Sequence, residues 1–207
     1  MELILDNQPL AVPEEGNTPL RAVFQRVTEE LRGRNRVICE VFIDGAQQGS
    51  WDDPKIAERK VGDCRLMRLV SEEPRRLAQK VLYEIAGYMP KIKNALVECS
   101  TRLQSRKETE GMELLEEITA TWVELYQGLQ SALTVTGLDY DSVSVQGNTF
   151  LQINEEIHQY LEEVADLVQN QQFLELSDIL EYEIAPRIPL LEECIYQFIK
   201  QLEKQAH

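Results

Sequence analysis

The sequence predicts an α+β protein, a small β-rich module followed by an antiparallel four-helix bundle. Two observations carry that expectation. Apolar residues alternate in short runs as far as Val70, then recur every three or four positions from Pro74 almost to the end. Between the two rhythms stands Ser71-Glu72-Glu73-Pro74, which divides the chain into modules 1–71 and 72–207. A chain of 207 residues, 43% of them hydrophobic, can bury a core in each part.

In the first module, Leu3-Ile4-Leu5 is β-prone, Asp6-Asn7-Gln8-Pro9 is turn-rich, and Leu10-Ala11-Val12 can return as a hairpin. Thr18-Pro19 reads as an N-cap with proline at the first helical position. Leu20, Val23, Phe24, Val27 and Leu31 then recur at helical spacing, and Gly33 is a stop. Val37 to Ile43 is the strongest strand, followed by the turn pair Asp44-Gly45. A short strand is expected within Gln47 to Trp51 and a closing one at Cys64 to Val70, with Leu66 and either Leu69 or Val70 turned inward.

The order is thus hairpin, helix, strand, turn, strand, and the helix must cover one face of the sheet because neither element can leave its apolar face in water. This order resembles the β-grasp (ubiquitin-like) fold over about the first seventy residues. Sulfur-carrier and conjugating members of that fold end in an exposed Gly-Gly tail, whereas here the last strand runs into Ser71-Glu72-Glu73-Pro74 and a helix. A docking or scaffolding module is the remaining expectation.

In the second module, Ser71 reads as an N-cap, with Glu72 and Glu73 in a first turn where they suit the helix dipole. Such a junction is too short for free motion between the modules, which directs attention to the place where they meet. Ile85, Met89, Ile92, Leu96, Cys99 and Leu103 form a heptad seam, interrupted by Pro90, which predicts a kink or break near Gly87-Tyr88. Ser105-Arg106-Lys107-Glu108 has the form of a capping box for the second helix. Its stripe is Leu115, Ile118, Trp122, Leu125, Leu129 and Ala132, and Gly137 ends it. Residues 138–147 lack helical period and read as an irregular connection. Asn148 or Thr149 caps the third helix, with Phe150, Ile153, Ile157, Leu161, Val164 and Val168 inward. A polar turn at Asn170-Gln171-Gln172 leads to the fourth, whose two stripes meet at Pro186 and Pro189 and predict one bent helix.

The net charge is −15, unevenly spread. From Glu108 to Ile199 there are nineteen acids and, of Lys and Arg, only Arg187; from Arg76 to Lys107 there are seven basic residues against two acidic ones. Nucleic-acid binding needs cations to replace counterions on phosphate, so an acidic bundle argues against it. No apolar run spans a bilayer, and the first ten residues lack the basic and apolar regions of a signal peptide. The expectation is a cytoplasmic protein with no membrane partner. Cys39, Cys64, Cys99 and Cys194 are scattered without a C-x-x-C pair, as buried reduced thiols would be.

The sharpest chemical candidate is Glu155-x-x-His158, because carboxylate-bridged di-iron bundles place Glu-x-x-His on two helices and a Glu on each of two others. Glu116, Glu117, Glu181 and Glu183 are the acids to test against it. The other histidine is His207, so a second Glu-x-x-His is missing and half of that ligand set with it. No glycine-rich phosphate loop and no Gly-x-Ser-x-Gly elbow occurs. Neither catalytic residues, nor a metal, nor a cofactor is therefore assigned, and the chain is read as a non-enzyme. Trp122, Tyr126, Tyr140, Tyr160, Tyr182 and Tyr196 suit an interface and a core boundary equally.

Val81 to Leu96, with its Leu82-Tyr83-Glu84 step and apolar spacing, is similar to the first long helix of the flagellin export chaperone (FliS) family. The succession of helices, the polar turn near Ser105 and the long mid-bundle loop extend the likeness over about residues 75–205. The resemblance implies an antiparallel bundle that holds helices of a secreted subunit in apolar surface grooves, in flagellar or other secretion machinery. That family does not usually carry a β-rich module in front, and Pro186 and Pro189 depart from its fourth helix, so no binding residues are carried over. The expected function is a protein-binding adaptor or chaperone, with partner helices lying in grooves. The rivals are a metal-dependent bundle enzyme and a structural homodimer.

Overall fold

The computed structural model describes residues 1–49 and 53–204. It is a mixed α+β structure in which a small N-terminal sheet precedes a mainly helical region. The chain divides into two compact units, Met1–Leu77 and Ala78–His207.

In the first unit, strands β1 (Glu2–Leu5), β2 (Gln8–Leu10), β3 (Val37–Ile43), β4 (Ala46–Gln48) and β5 (Leu66–Glu72) form one sheet in the order β2-β1-β5-β3-β4. β1 runs parallel to β5, and the other pairs are antiparallel. Both hairpins turn through paired positive φ angles, Asp6-Asn7 at 49° and 64° and Asp44-Gly45 at 51° and 87°, which match the right-handed twist of the strands. The Asp44 carboxylate also accepts the Arg65 and Leu66 backbone N–H groups, each at 2.9 Å. Helix α1 (Leu20–Arg32) buries Leu20, Val23, Phe24, Val27 and Leu31. Leu3, Leu5, Val41, Ile43, Met67 and Leu69 complete that core from the sheet.

Several local expectations change here. Pro19, not Thr18, is the N-cap of α1, and no side chain caps it. Met67 and Leu69 point inward while Leu66 lies on the opposite, half-buried face, because a strand alternates strictly and the register Leu3↔Met67 fixes its phase. Ser71 is no helix cap. β5 runs on to Glu72, and Ser71 is buried within it, engaged by Asp6 and Arg36. The following helix starts at Pro74, where a missing N–H costs nothing. Of the expected short strand, Ala46–Gln48 forms; Trp51 lies outside the described residues. A short helix α2 (Pro54–Ala57), capped by Asp53, and a 3₁₀ turn at Val61–Asp63 lead into β5.

The second unit holds most of α3 (Pro74–Gln104), with α4 (Glu108–Thr136), α5 (Phe150–Gln169), α6 (Phe173–Asp178) and α7 (Ile188–Lys204). α3 is unbroken at Pro90. The ring is exposed, while Leu82, Ile85, Met89, Ile92 and Leu96 on either side are buried, and that burial offsets the missing hydrogen bond of about 3 kcal/mol. The capping box at Ser105 does not form: Arg106 turns with φ 60°, Lys107 is the N-cap and no side chain caps α4. Gly137 ends α4 in the left-handed conformation, φ 65°, open to glycine without a Cβ penalty. Thr149 caps α5 in a reciprocal capping box with Gln152.

Residues 138–147, expected to be irregular, carry a 3₁₀ turn (Tyr140–Ser142) and a small hairpin, β6 (Ser144–Val145) with β7 (Asn148–Thr149). Val143 and Val145 are buried, and Gln197 and Gln201 of α7 donate to the Ser144 and Ser142 carbonyls. The segment after α6 is not one bent helix. It widens into a π-helix (Ile179–Ile184), closes with Ala185 N–H donating to the Leu180 carbonyl at 3.0 Å, and turns before α7. Pro186 and Pro189 offer no donors to an α-helical ladder there, which favours the turn. One core joins α3, α4, α5 and α7, with Phe150 and Phe198 edge to face at 5.4 Å.

Candidate functional site

α4 buries Leu115, Ile118, Leu129, Ala132 and Leu133 on one stripe. Along the flank of that stripe Thr119, Ala120 and Val123 stay exposed, with Val123 at 47%. α5 has the same asymmetry: Ile153, Ile157 and Val164 are buried, while His158 and Ala165 on the adjoining face are exposed. Between these flanks lies an apolar groove of about 1180 Å³. Its floor is Ile92 and Leu96 of α3, Leu180 and Ile184 of the π-helix, and Ile188 of α7.

One wall is anchored by a polar contact. The buried Asn154 amide donates to the Tyr126 hydroxyl at 3.0 Å, and the Tyr126 ring meets His158 edge to face at 6.4 Å. Trp122 lines the groove beside Tyr126 and also covers a void of about 10 Å³ bounded by Ile85, Met89 and Leu129. Two large aromatic side chains, Trp122 and the anchored Tyr126, are therefore presented to the groove, an arrangement suited to gripping apolar side chains.

The lip of the groove is acidic. Glu113 and Glu116 line it, and α4 and α5 carry six and five acidic residues with no Lys or Arg. Opposite charge appears at Arg187, whose guanidinium pairs with Glu156 at 2.7 Å and Glu183 at 3.1 Å and lies 4.7 Å over the Tyr160 ring. Burial works against the Arg187 cation, yet its hydrogen bond to Glu156 and the surrounding acids raise its pKa above the ordinary value.

The residues weighed as metal ligands are not drawn together among the described residues. Glu155 and His158 are exposed on α5, and Glu116 is exposed on α4. Glu181 accepts from the buried Ser100 hydroxyl at 2.7 Å and from Gln104, whereas Glu183 is held by Arg187. His207 lies outside the described residues. No cluster of three or more His, Cys, Asp or Glu side chains able to hold a metal occurs among the described residues.

Of the aromatic candidates, Trp122 and Tyr126 line the groove. Tyr140 stacks on Phe150 at 5.8 Å, Tyr160 underlies Arg187, and Tyr182 and Tyr196 are exposed. Tyr83, part of the Leu82-Tyr83-Glu84 step, donates to Glu203 at 2.9 Å and so ties α3 to α7; that hydrogen bond raises its pKa. Burial also pushes the Cys99 and Cys194 thiols up to about 11. The groove-wall residues Thr119, Val123 and Ala165 went unnoticed because small side chains beside a helical stripe carry no periodic signal. Among the described residues, no helix is long and apolar enough to cross a membrane.

No curated protein and no solved structure matches the chain. Residues 80–194 match a family described as a domain of unknown function, DUF8042, and they include both walls of the groove and all of its floor. With more than half of its length matched, the chain belongs to the DUF8042 family.

Proposed function

We propose that the protein is a non-enzymatic protein-binding adaptor or chaperone that receives a partner helix in the groove between α4 and α5. The observation that carries this reading is the groove itself: about 1180 Å³ of mainly apolar space, walled by two helices and backed by buried core residues. A drug-sized ligand fills a site of about 300–1,000 Å³, and this one is larger and elongated. An amphipathic helix laid along such a groove buries its apolar face by the same physics that builds the core.

The finer architecture belongs to the same proposal. The sheet order β2-β1-β5-β3-β4 with α1 covering one face supports a β-grasp-like reading of the first unit. α3, α4, α5 and the α6–π–α7 segment support a four-helix bundle with one seam left open. A link to flagellar or other secretion machinery rests on the likeness of residues 75–205 to flagellin export chaperones.

The test is capture from a native lysate by the full chain and by Val123→Arg. Val123 is exposed, so the added charge leaves the core untouched and obstructs the groove. The expected result is a protein retained by the parent chain and lost by the variant. A partner retained equally by both, or none by either, overturns the reading.

A further inference from the structure

We infer that the occupant of the groove is a cationic amphipathic α-helix of another protein. The inference rests on the protein-binding reading above and adds the chemistry of the partner.

Uncompensated charge comes first. Glu113 and Glu116 lie on the α4 lip, and Glu162 is one turn beyond His158 and three residues before Ala165 on the α5 lip. All three are exposed and make no ion pair or side-chain hydrogen bond among the described residues. Glu156, Glu183 and Glu203 in this unit have partners, whereas other exposed acids of α4 and α5, such as Glu124 and Glu163, share the unpaired state of the three lip acids. Two unpaired acidic lips around an apolar trough attract a helix with apolar residues on one face and Lys or Arg along its edges.

The dimensions agree with a helix. The α4 wall runs from Thr109 to Gln130, about 30 Å at 1.5 Å per residue, and the α5 wall from Ile157 to Val168, about 17 Å. A helix of about three turns is thus held on both sides and can extend along α4. Thr119, Ala120 and Ala165 keep the walls low, so a partner backbone can approach while its larger side chains reach the floor.

A second copy of this chain fits poorly. Its cationic helices, α1 and α3, already bury their apolar faces at Phe24, Val27, Leu82 and Ile85 in their own cores. The remaining long apolar flanks belong to α4 and α5, which would bring acid against acid.

The experiment uses the full chain with Trp51→Phe, so that Trp122 in the groove is the sole tryptophan reporter. Two labelled peptides of about eighteen residues share one leucine-rich face; one carries Lys on its flanks, the other Glu. Anisotropy and Trp122 emission should show the Lys peptide binding at least about tenfold more tightly. Glu113→Lys/Glu116→Lys/Glu162→Lys should reverse that order, and Val123→Arg should abolish binding of both. Equal binding of the two peptides to the parent chain overturns the charge inference and leaves the helix-groove reading standing. Binding of neither overturns the inference, and the broader reading falls with it only if Val123-dependent capture from lysate is also absent. A dimer seen by light scattering and dispersed by Val123→Arg overturns it in favour of self-association.

Discussion

The Asp6 carboxylate accepts both the backbone N–H and the hydroxyl of Ser71, at 2.7 and 2.6 Å, and so fastens the first hairpin to the last strand of the sheet. Arg36 donates its Nε to the same hydroxyl at 2.7 Å and pairs with the Asp6 carboxylate at 3.6 Å. Ser71→Ala removes the two hydroxyl bonds to charged groups while leaving the Asp6–Arg36 pair and both backbone bonds of Ser71, at a cost of about 1–3 kcal/mol. Hydrogen exchange of the β5 amides in the full chain should accelerate accordingly. Unchanged protection would mean that parallel pairing of β1 with β5 suffices alone.

Gly111 and Gly87 both sit inside long helices, yet alanine should act oppositely at the two. A Cβ on Gly111 would lie 2.6 Å from Leu103 Cδ2 and 2.9 Å from its Cγ, and Leu103 is buried. Gly87 has no atom within 4 Å of that position. Gly87→Ala should therefore stabilise by about 1 kcal/mol through helix propensity, while Gly111→Ala should destabilise by about 1–3 kcal/mol through overpacking. Urea midpoints at constant m-value read both signs.

Arg187 closes the turn after the π-helix with bonds to Glu156, to the Glu183 carboxylate and to the Glu183 carbonyl. Arg187→Met keeps much of the side-chain volume and removes all of them. The expected loss is about 1–3 kcal/mol, as for hydrogen bonds to a charged group. Thermal melts of the two proteins measure it, and equal melting temperatures would remove Arg187 from the set of stabilising residues.

Thiol chemistry gives a pH window. Cys99 and Cys194 are buried and held up to about 11, against an ordinary 9.0. Above pH 9 the unfolded chain gives up thiol protons that the folded chain retains, so the unfolded state binds fewer protons. Stability should fall as pH rises from about 9 toward 11. Cys99→Ala/Cys194→Ala should flatten that part of the stability curve in chemical denaturation. At pH 8 a thiol reagent should reach the half-buried Cys39 of the native chain before either of these two.

Local chemistry was the most legible part of the sequence. The strand Val37–Ile43, the Asp44-Gly45 turn, the Gly137 stop and the Thr149 cap each depend on residues within a few positions of one another. Ser71 misled because a hydroxyl near a helix start can cap it, but here a partner sixty-five residues away claimed it; Ser105 misled because α4 starts later, with Lys107 as its cap. The phase of β5 depended on its pairing with β1, and the passage of α3 through Pro90 depended on burial to either side. The groove was the least legible feature. Leu115, Ile118 and Ile157 read as core, and they are buried, yet they also bound an open trough. Periodicity along one helix says which face is apolar and nothing of the distance to its neighbour.

The π-helix from Ile179 to Ile184 contains one residue more than an α-helical path would need for its wide turn. It can be understood as an insertion absorbed without breaking the core, because Leu180 and Ile184 both remain buried. Removing one residue from this stretch would restore ordinary winding, and because the wide turn absorbs the extra residue locally, the chain after it would keep its phase. Ile188 would then keep its place, and the change in the floor would be confined to the stretch from Leu180 to Ile184. The shape of the trough is thus recorded in chain length as well as in side-chain identity, and a single codon separates this floor from a differently contoured one.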